Sequence, residues 1–257
     1  QYTGPFILRR MKSEVMRELP PKTENVRRVE LETEQRKLYL AAVVDAREKL
    51  RAAKPEDKMT VFAVLMRLRE ICCDPRLVAD NWTGSSAKLD ACLELVTEAV
   101  AGGHRILLFS QFTSMLELLA KRLDEAGVSH FTLQGSTPKP VRAEQVRRFN
   151  QGEADVFLIS LRAGGTGLNL TAADIVIHYD PWWNLAAQNQ ATDRAYRIGQ
   201  RNPVQVYRLI AQDTIEEKIV ELQQAKQSLA DTVTGGADGA ILSMNPEQLL
   251  QLLGEEA

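Results

Sequence analysis

No apolar run of about 18 residues or more occurs in the chain, so no membrane-spanning helix is expected. No secretory leader is visible at its start. Cysteine is scarce: Cys72, Cys73 and Cys92 include an adjacent pair but no CxxC, and His104, His130 and His178 are scattered. Zinc-ligand spacing is therefore absent and no metal site is expected. Three thiols without a disulfide framework suit a reducing compartment, and the expected location is cytoplasmic. A strong charge of either sign is also missing. The net charge is −2 over 257 residues, so any nucleic-acid contact must come from a local surface.

The absences extend to nucleotide chemistry. No GxxxxGK[ST] loop occurs; the nearest approach, Gly84 to Lys88, has the wrong spacing and no Ser or Thr after the lysine. No acidic pair closes a strand to hold Mg2+, since Asp124-Glu125 ends an amphipathic helix. Nothing here cradles a β-phosphate. A dinucleotide fingerprint is missing too, which sets aside a Rossmann-type oxidoreductase. The first residue is Gln1, not Met, and the reading is of a piece of a longer polypeptide.

What is present is an apolar fraction of 44%, enough for a sizeable core. Residues 1–30 mix charge with Pro5, Pro20 and Pro21 and read as a connector. Residues 31–86 read as a helical segment, with helices over 31–53 and 59–72 separated at Pro55. From residue 87 to 234 short apolar runs alternate with helical patterns: strands at 105–109, 130–133, 156–160, 174–179 and 204–209, and helices at 88–101, 113–126, 139–150, 185–197 and 214–233. That alternation predicts an α/β fold, an open parallel sheet with helices on both faces. The tail, 235–257, holds a glycine-rich stretch and a short helix near 246–253.

Ligand groups in open α/β sheets gather beyond the carboxyl ends of strands, and three unusual segments follow strands here. After 156–160 comes SLRAGGTGLNL, whose Gly164, Gly165 and Gly167 let backbone approach a ligand, flanked by Arg162 and Asn169. After 174–179 comes DPWWN and then QNQATDRAYRIGQ. There Gln190, Arg194 and Arg197 stand at i, i+4 and i+7 of an expected helix, an amide and two guanidiniums on one face. After 130–133 comes LQGSTPKPVR. Ser136 or Thr137 is expected to cap the next helix, with Lys139 and Arg142 beside a helix end that also suits phosphate. Two phosphate-reading arginines without a phosphate cradle point to a nucleotide bound on another domain.

Taken together, these segments resemble the second RecA-like lobe of the Swi/Snf-like superfamily-two ATPases, over nearly the whole chain. PFILRRMKSEVMRELPPKTE resembles the connector from the first lobe, and RLREICCDP the helical segment before the second. RILLFSQFTSMLELLAKRL resembles motif IV, and LQGSTPKPVRAEQVRRFN the region just after it. LISLRAGGTGLNLTAADIVIHYDPWWN resembles motif V and its extension, QNQATDRAYRIGQ motif VI, and LIAQDTIEEKIVELQQAK the closing helix. The resemblance implies that Arg194 and Arg197 are arginine fingers for ATP on the first lobe. It implies that Gln190, Gly167 and Asn169 face the nucleotide, and that Ser110, Gln111, Gly135, Ser136, Thr137 and Arg162 lie along a DNA track.

Trp182 and Trp183 would stand near the cleft or brace the sheet edge; both readings stay open. Leu185, Tyr196 and Asp74 depart from the family's usual proline, histidine and histidine, and none removes a finger. The tail is similar to that of bacterial members. The implied partners are the first RecA-like lobe of the same polypeptide and double-stranded DNA, with a monomeric, nucleoid-associated chain. ATP and Mg2+ would be held mainly by the first lobe, and the lobe alone would not hydrolyse ATP. The rival readings are a lobe of a strand-separating helicase and a non-catalytic DNA- or protein-binding module.

Overall fold

The computed structural model describes residues 19–161, 163, 167–230 and 244–254, with the backbone alone for 226–230. The apolar runs become strands β2 (Ile106–Ser110), β3 (His130–Leu133), β4 (Val156–Ser160), β5 (Ile175–His178) and β6 (Val204–Ala211), preceded by β1 (Lys22–Val29). All pairings are parallel, in the order β1-β6-β5-β2-β4-β3. Every residue of β2, β4 and β5 is buried, the signature of a sheet covered on both faces.

The two-residue period of a strand sorts these side chains. Ile106 and Leu108 join Leu158 and Ile177 under helices α3 (Ala87–Ala101) and α4 (Thr113–Glu125), which contribute Leu89, Cys92, Val96, Met115 and Leu119. Leu107 and Phe109 point the other way, to Phe157, Val176 and Val206, and meet Phe149 of α5 (Lys139–Asn150) and Ala191 of α6 (Leu185–Thr192). The expected α/β architecture with helices on both faces is what forms.

The helical insertion is α1 (Thr33–Ala52) and α2 (Lys58–Cys73), the latter capped by the Asp57 carboxylate accepting from the Thr60 amide at 3.0 Å. Together with α7 (Ile215–Ala230) and α8 (Pro246–Leu252), these helices enclose a separate cluster: Leu50, Leu65, Leu68, Ile71, Ile215, Ile219 and Leu249. The Tyr39 hydroxyl accepts from the Ile215 amide at 2.7 Å and seats α7 on α1. Among the described residues, no helix is long and apolar enough to cross a membrane.

Residues 22–29 lie within the stretch read as a connector. They form edge strand β1, aligned from Lys22↔Val204 to Val29↔Ala211. KTENVRRV has little apolar periodicity and is mostly exposed. Pairing to β6 and the ion pairs Glu24–Arg208, Arg28–Glu217 and Arg27–Glu94 hold it, and such charge suits an edge strand.

Crossovers in this sheet use α4, α5 and α6, but the one from β4 to β5 passes over β2 with no α-helix among its described residues. Instead Leu168, Leu170 and Ala173 pack directly on the sheet. The adjacent strands β2 and β5 send their outgoing connections to opposite sides, to β3 and β6, and the crevice beyond their carboxyl ends is where open α/β sheets collect ligands.

Candidate nucleotide and DNA interface

The carboxyl ends of β2 and β5 are joined by one buried carboxylate. Asp180 accepts from the Ser110 hydroxyl at 2.6 Å, from the Gln111 amide at 3.3 Å and from Arg69 Nη2 at 3.4 Å. Ser110 is wholly buried, and its Oγ also receives the Phe112 amide at the start of α4 at 3.1 Å. Its hydroxyl is thus engaged inside the protein. Gln111 is only partly covered, and its Nε2 has no partner among the described residues. Trp183 lies 4.1 Å from the Arg69 guanidinium, ring centroid to Cζ, and packs on the helical cluster.

After β3, Gly135 and Ser136 are exposed, and a Cβ on Gly135 would meet nothing within 4 Å. The expected cap is corrected here. Pro138, not Ser136 or Thr137, is the N-cap of α5 and gives no side-chain bond; the Thr137 hydroxyl turns back to accept from the Gln134 amide at 3.0 Å. A tight turn competes for the hydroxyl and wins. The first amides of α5 are left without a side-chain cap, with exposed Lys139 alongside.

Along the β4–β5 connection, Gly167 and Asn169 are exposed and Gly167 has φ +28°. The Asn150 side chain donates to the Asn169 carbonyl at 2.8 Å and accepts from the Ala172 amide at 3.3 Å, fixing the loop to the end of α5. Arg162, Gly164 and Gly165 lie outside the described residues.

The turn that carries the two arginines is the largest correction. The expected helix 185–197 stops at Thr192, so Gln190, Arg194 and Arg197 do not share one helical face. Bonds tighten to i−3 at Arg194→Ala191 (3.1 Å) and Ala195→Thr192 (3.1 Å), and the Arg194 carbonyl is taken by the Leu170 amide at 3.0 Å. The Gln200 amide, buried, donates to the carbonyls of Ala173 (2.7 Å), Ala195 (3.2 Å) and Thr171 (3.3 Å), and its oxygen receives the Arg201 and Asn202 amides. Gly199 (φ +104°) makes the bend a side chain would strain. Tertiary bonds replace helix bonds, and the turn leads to the amino end of β6 instead of lying at the carboxyl edge.

Arg194 is 7% exposed, and its Nε and Nη2 have no hydrogen-bond partner among the described residues. Burial, and then the like charge of Arg197, push its pKa down, with Asp193 acting the other way. Arg197 is exposed, with Nη1 3.4 Å from the Leu168 carbonyl, and Gln190 is exposed on α6. The geometry brings Gly167, Asn169, Arg194 and Arg197 to one place through these backbone links. It leaves Gln111 and the residue 135–137 turn as a separate group at the carboxyl edge.

Sequence reasoning missed Arg69 and Asn150. An arginine inside the apolar run of α2, with Leu65, Leu68 and Cys72 around it, was the signal for a buried partner. Lys88, the lysine in the nearest approach to a P-loop, is wholly buried against Glu216. Among the described residues no three His, Cys, Asp or Glu gather as metal ligands.

The family model "Helicase conserved C-terminal domain" matches residues 87–199, and "SNF2-related domain" matches 1–77. A Mycoplasma pneumoniae protein named "Uncharacterized ATP-dependent helicase" is 39% identical over 253 residues, 98% of this chain and 24% of that protein. The Sulfolobus solfataricus SWI2/SNF2 ATPase core in complex with dsDNA matches with TM-score 0.77 at 30% identity, covering 99% of this chain and 55% of that one. The Sulfolobus solfataricus SWI2/SNF2 ATPase C-terminal domain gives TM-score 0.75 at 27% identity, covering 92% of this chain and 100% of the other. The chain spans about a quarter of the length of the curated relatives it matches.

Proposed function

The chain belongs to the Swi/Snf family of ATP-dependent helicases as its C-terminal RecA-like lobe, and from that premise we propose that it is the second motor lobe of an ATP-dependent translocase on double-stranded DNA. Arg194 and Arg197 serve ATP and Mg2+ held mainly by a first lobe of the same polypeptide. Bound there, the nucleotide supplies a phosphoryl group whose developing charge guanidiniums can stabilise.

The observation that carries this reading is the Arg194 side chain, nearly buried with two donors that have no partner among the described residues. A buried cation left without an acceptor is costly. An anion presented by a facing lobe would offset that cost, and the planar guanidinium fork suits phosphate oxygens. Gln190, Gly167 and Asn169 contribute on the same nucleotide side. Gln111, Gly135, Ser136, Thr137 and Arg162 line the DNA track, with Ser110 acting by holding Gln111 in place. Contacts there go mainly to phosphates, so the lobe follows a duplex with little sequence preference. Closing and reopening of the two lobes moves those contacts along the strand without separating the duplex.

The test is ATP turnover by the polypeptide that joins both lobes. Arg194→Ala and Arg197→Ala are each expected to cut turnover by about 10³-fold, the scale of arginine-finger effects, while ATP binding persists. Turnover equal to the parent in both variants would defeat the assignment. The relative named a helicase favours strand separation as the second reading, and release of a labelled strand from a forked duplex would support it over translocation alone.

A further inference from the structure

We infer that Arg69 and Asp180 form a positioning pair that couples the DNA-facing end of β2 to the nucleotide-facing turn after α6, an inference that rests on the proposed function. Asp180 and Arg69 are both 0% exposed. Asp180 holds one side, the Ser110 hydroxyl and the Gln111 amide. Arg69 reaches in from α2 to hold the other. Its guanidinium contacts the carboxylate at 3.4 Å, donates to the Pro181 carbonyl, and lies between the rings of Trp183 (4.1 Å) and Phe112 (5.6 Å).

The 181–184 corner is where α6 begins. Asn184 caps that helix through the Ala187 amide at 2.8 Å. The Trp182 amide donates to Gln188 Oε1 at 3.3 Å, and the Trp182 carbonyl receives Gln223 Nε2 from α7. Gln190 stands on α6, and the helix runs into the turn bearing Arg194 and Arg197. A displacement of Gln111 by a bound strand therefore reaches the arginine turn through the buried Asp180 and Arg69 and then the half-buried corner.

The chemistry argues against a simple brace. Arg69 leaves Nε and Nη1 unpartnered among the described residues in a fully buried site. Well-packed apolar side chains generally replace a buried ion pair without loss of stability. An imperfectly satisfied pair that ties two functional segments together has a use that a leucine could not supply.

Arg69→Met, Asp180→Asn and the double variant, made in the polypeptide that joins both lobes, are compared with the parent in three measurements: ATP turnover without DNA, turnover with saturating linear duplex, and thermal melting. DNA-free turnover is expected to match the parent while stimulation by DNA falls about tenfold, inside the usual range of coupling between sites. The double variant guards against misfolding, because removing both charges strands neither. Amide exchange supplies a readout independent of ATP: the Gln111 N–H and the 182–184 amides should exchange faster, with β2 and β4 unchanged.

Parental DNA stimulation in any folded variant overturns the inference. So does a parallel loss of both activities that tracks the melting temperature, or a double variant that fails to fold, since either makes the pair a brace. A parent that DNA does not stimulate removes the translocase reading instead. The pair is then judged on exchange alone, and unchanged protection at Gln111 sinks it.

Discussion

His178 closes β5 with its ring stacked on Phe109 at 5.6 Å and Nε2 2.9 Å from the Thr192 hydroxyl, while Nδ1 has no partner among the described residues. Burial, and then the charge of Arg208, push its pKa down from 6.5 to about 3. The unfolded chain therefore binds a proton in the window between those values and the folded chain does not. The neutral ring's contribution is complete above the unfolded pKa and is lost as pH falls from 6.5 toward 3. Within that window the loss is about 1.4 kcal/mol per pH unit. Denaturant unfolding of the parent minus His178→Gln, followed across those pH values, should show that slope; a difference independent of pH would refute it. At this scale the sequence was legible for residue type and silent about environment. Arg194 could be picked as a phosphate-reading residue, yet its burial and its two donors without a partner among the described residues appear only once the 168–170 loop is bonded to its backbone through the Leu170 amide.

Elements of the lobe are joined by a second buried pair, between Lys88 at the start of α3 and Glu216 in the first turn of α7, both wholly covered. Burial is the largest influence and opposes the ammonium, but Glu216 together with Cys73 and Cys72 outweighs it, and the Lys88 pKa is raised. The carboxylate also takes the Ala211 amide at 2.9 Å, which fixes the end of β6 to α7. Lys88→Met is expected to cost about 3–5 kcal/mol in equilibrium unfolding because Glu216 is left charged and buried. Adding Glu216→Gln should recover much of it, and an additive double variant would contradict the pairing. Most elements were legible beforehand, since apolar runs and 3.6-residue spacing report burial directly. Two were not. β1 carries charge on both faces and exists through its pairing to β6. The end of α6 is set by Gln200, whose five backbone contacts outcompete continued helix.

At the scale of the whole molecule, the arginine turn and the carboxyl-edge loops are separate groups on one sheet, the separation that the proposed work between a first lobe and a duplex calls for. The chain by itself is expected to bind DNA weakly, with log affinity falling linearly in log salt, and to show no ATP turnover above buffer. Lys139→Ala, at the uncapped start of α5, should lower the salt slope by about 1 without changing sequence preference. An unchanged slope would mean that Lys139 meets no phosphate. The sequence by itself determined the alternation of strands and helices behind a parallel sheet, and it showed a chain without a P-loop motif and with two arginines close together after β5, because periodicity, motif spacing and residue chemistry are local properties. Tertiary structure alone decided that α6 ends at Thr192, that Ser110 faces inward and that Arg69 meets Asp180, 111 residues away along the chain. Each of these depends on which distant carbonyl, carboxylate or ring becomes a neighbour, and that is settled only when the strands pair and the helices close over them.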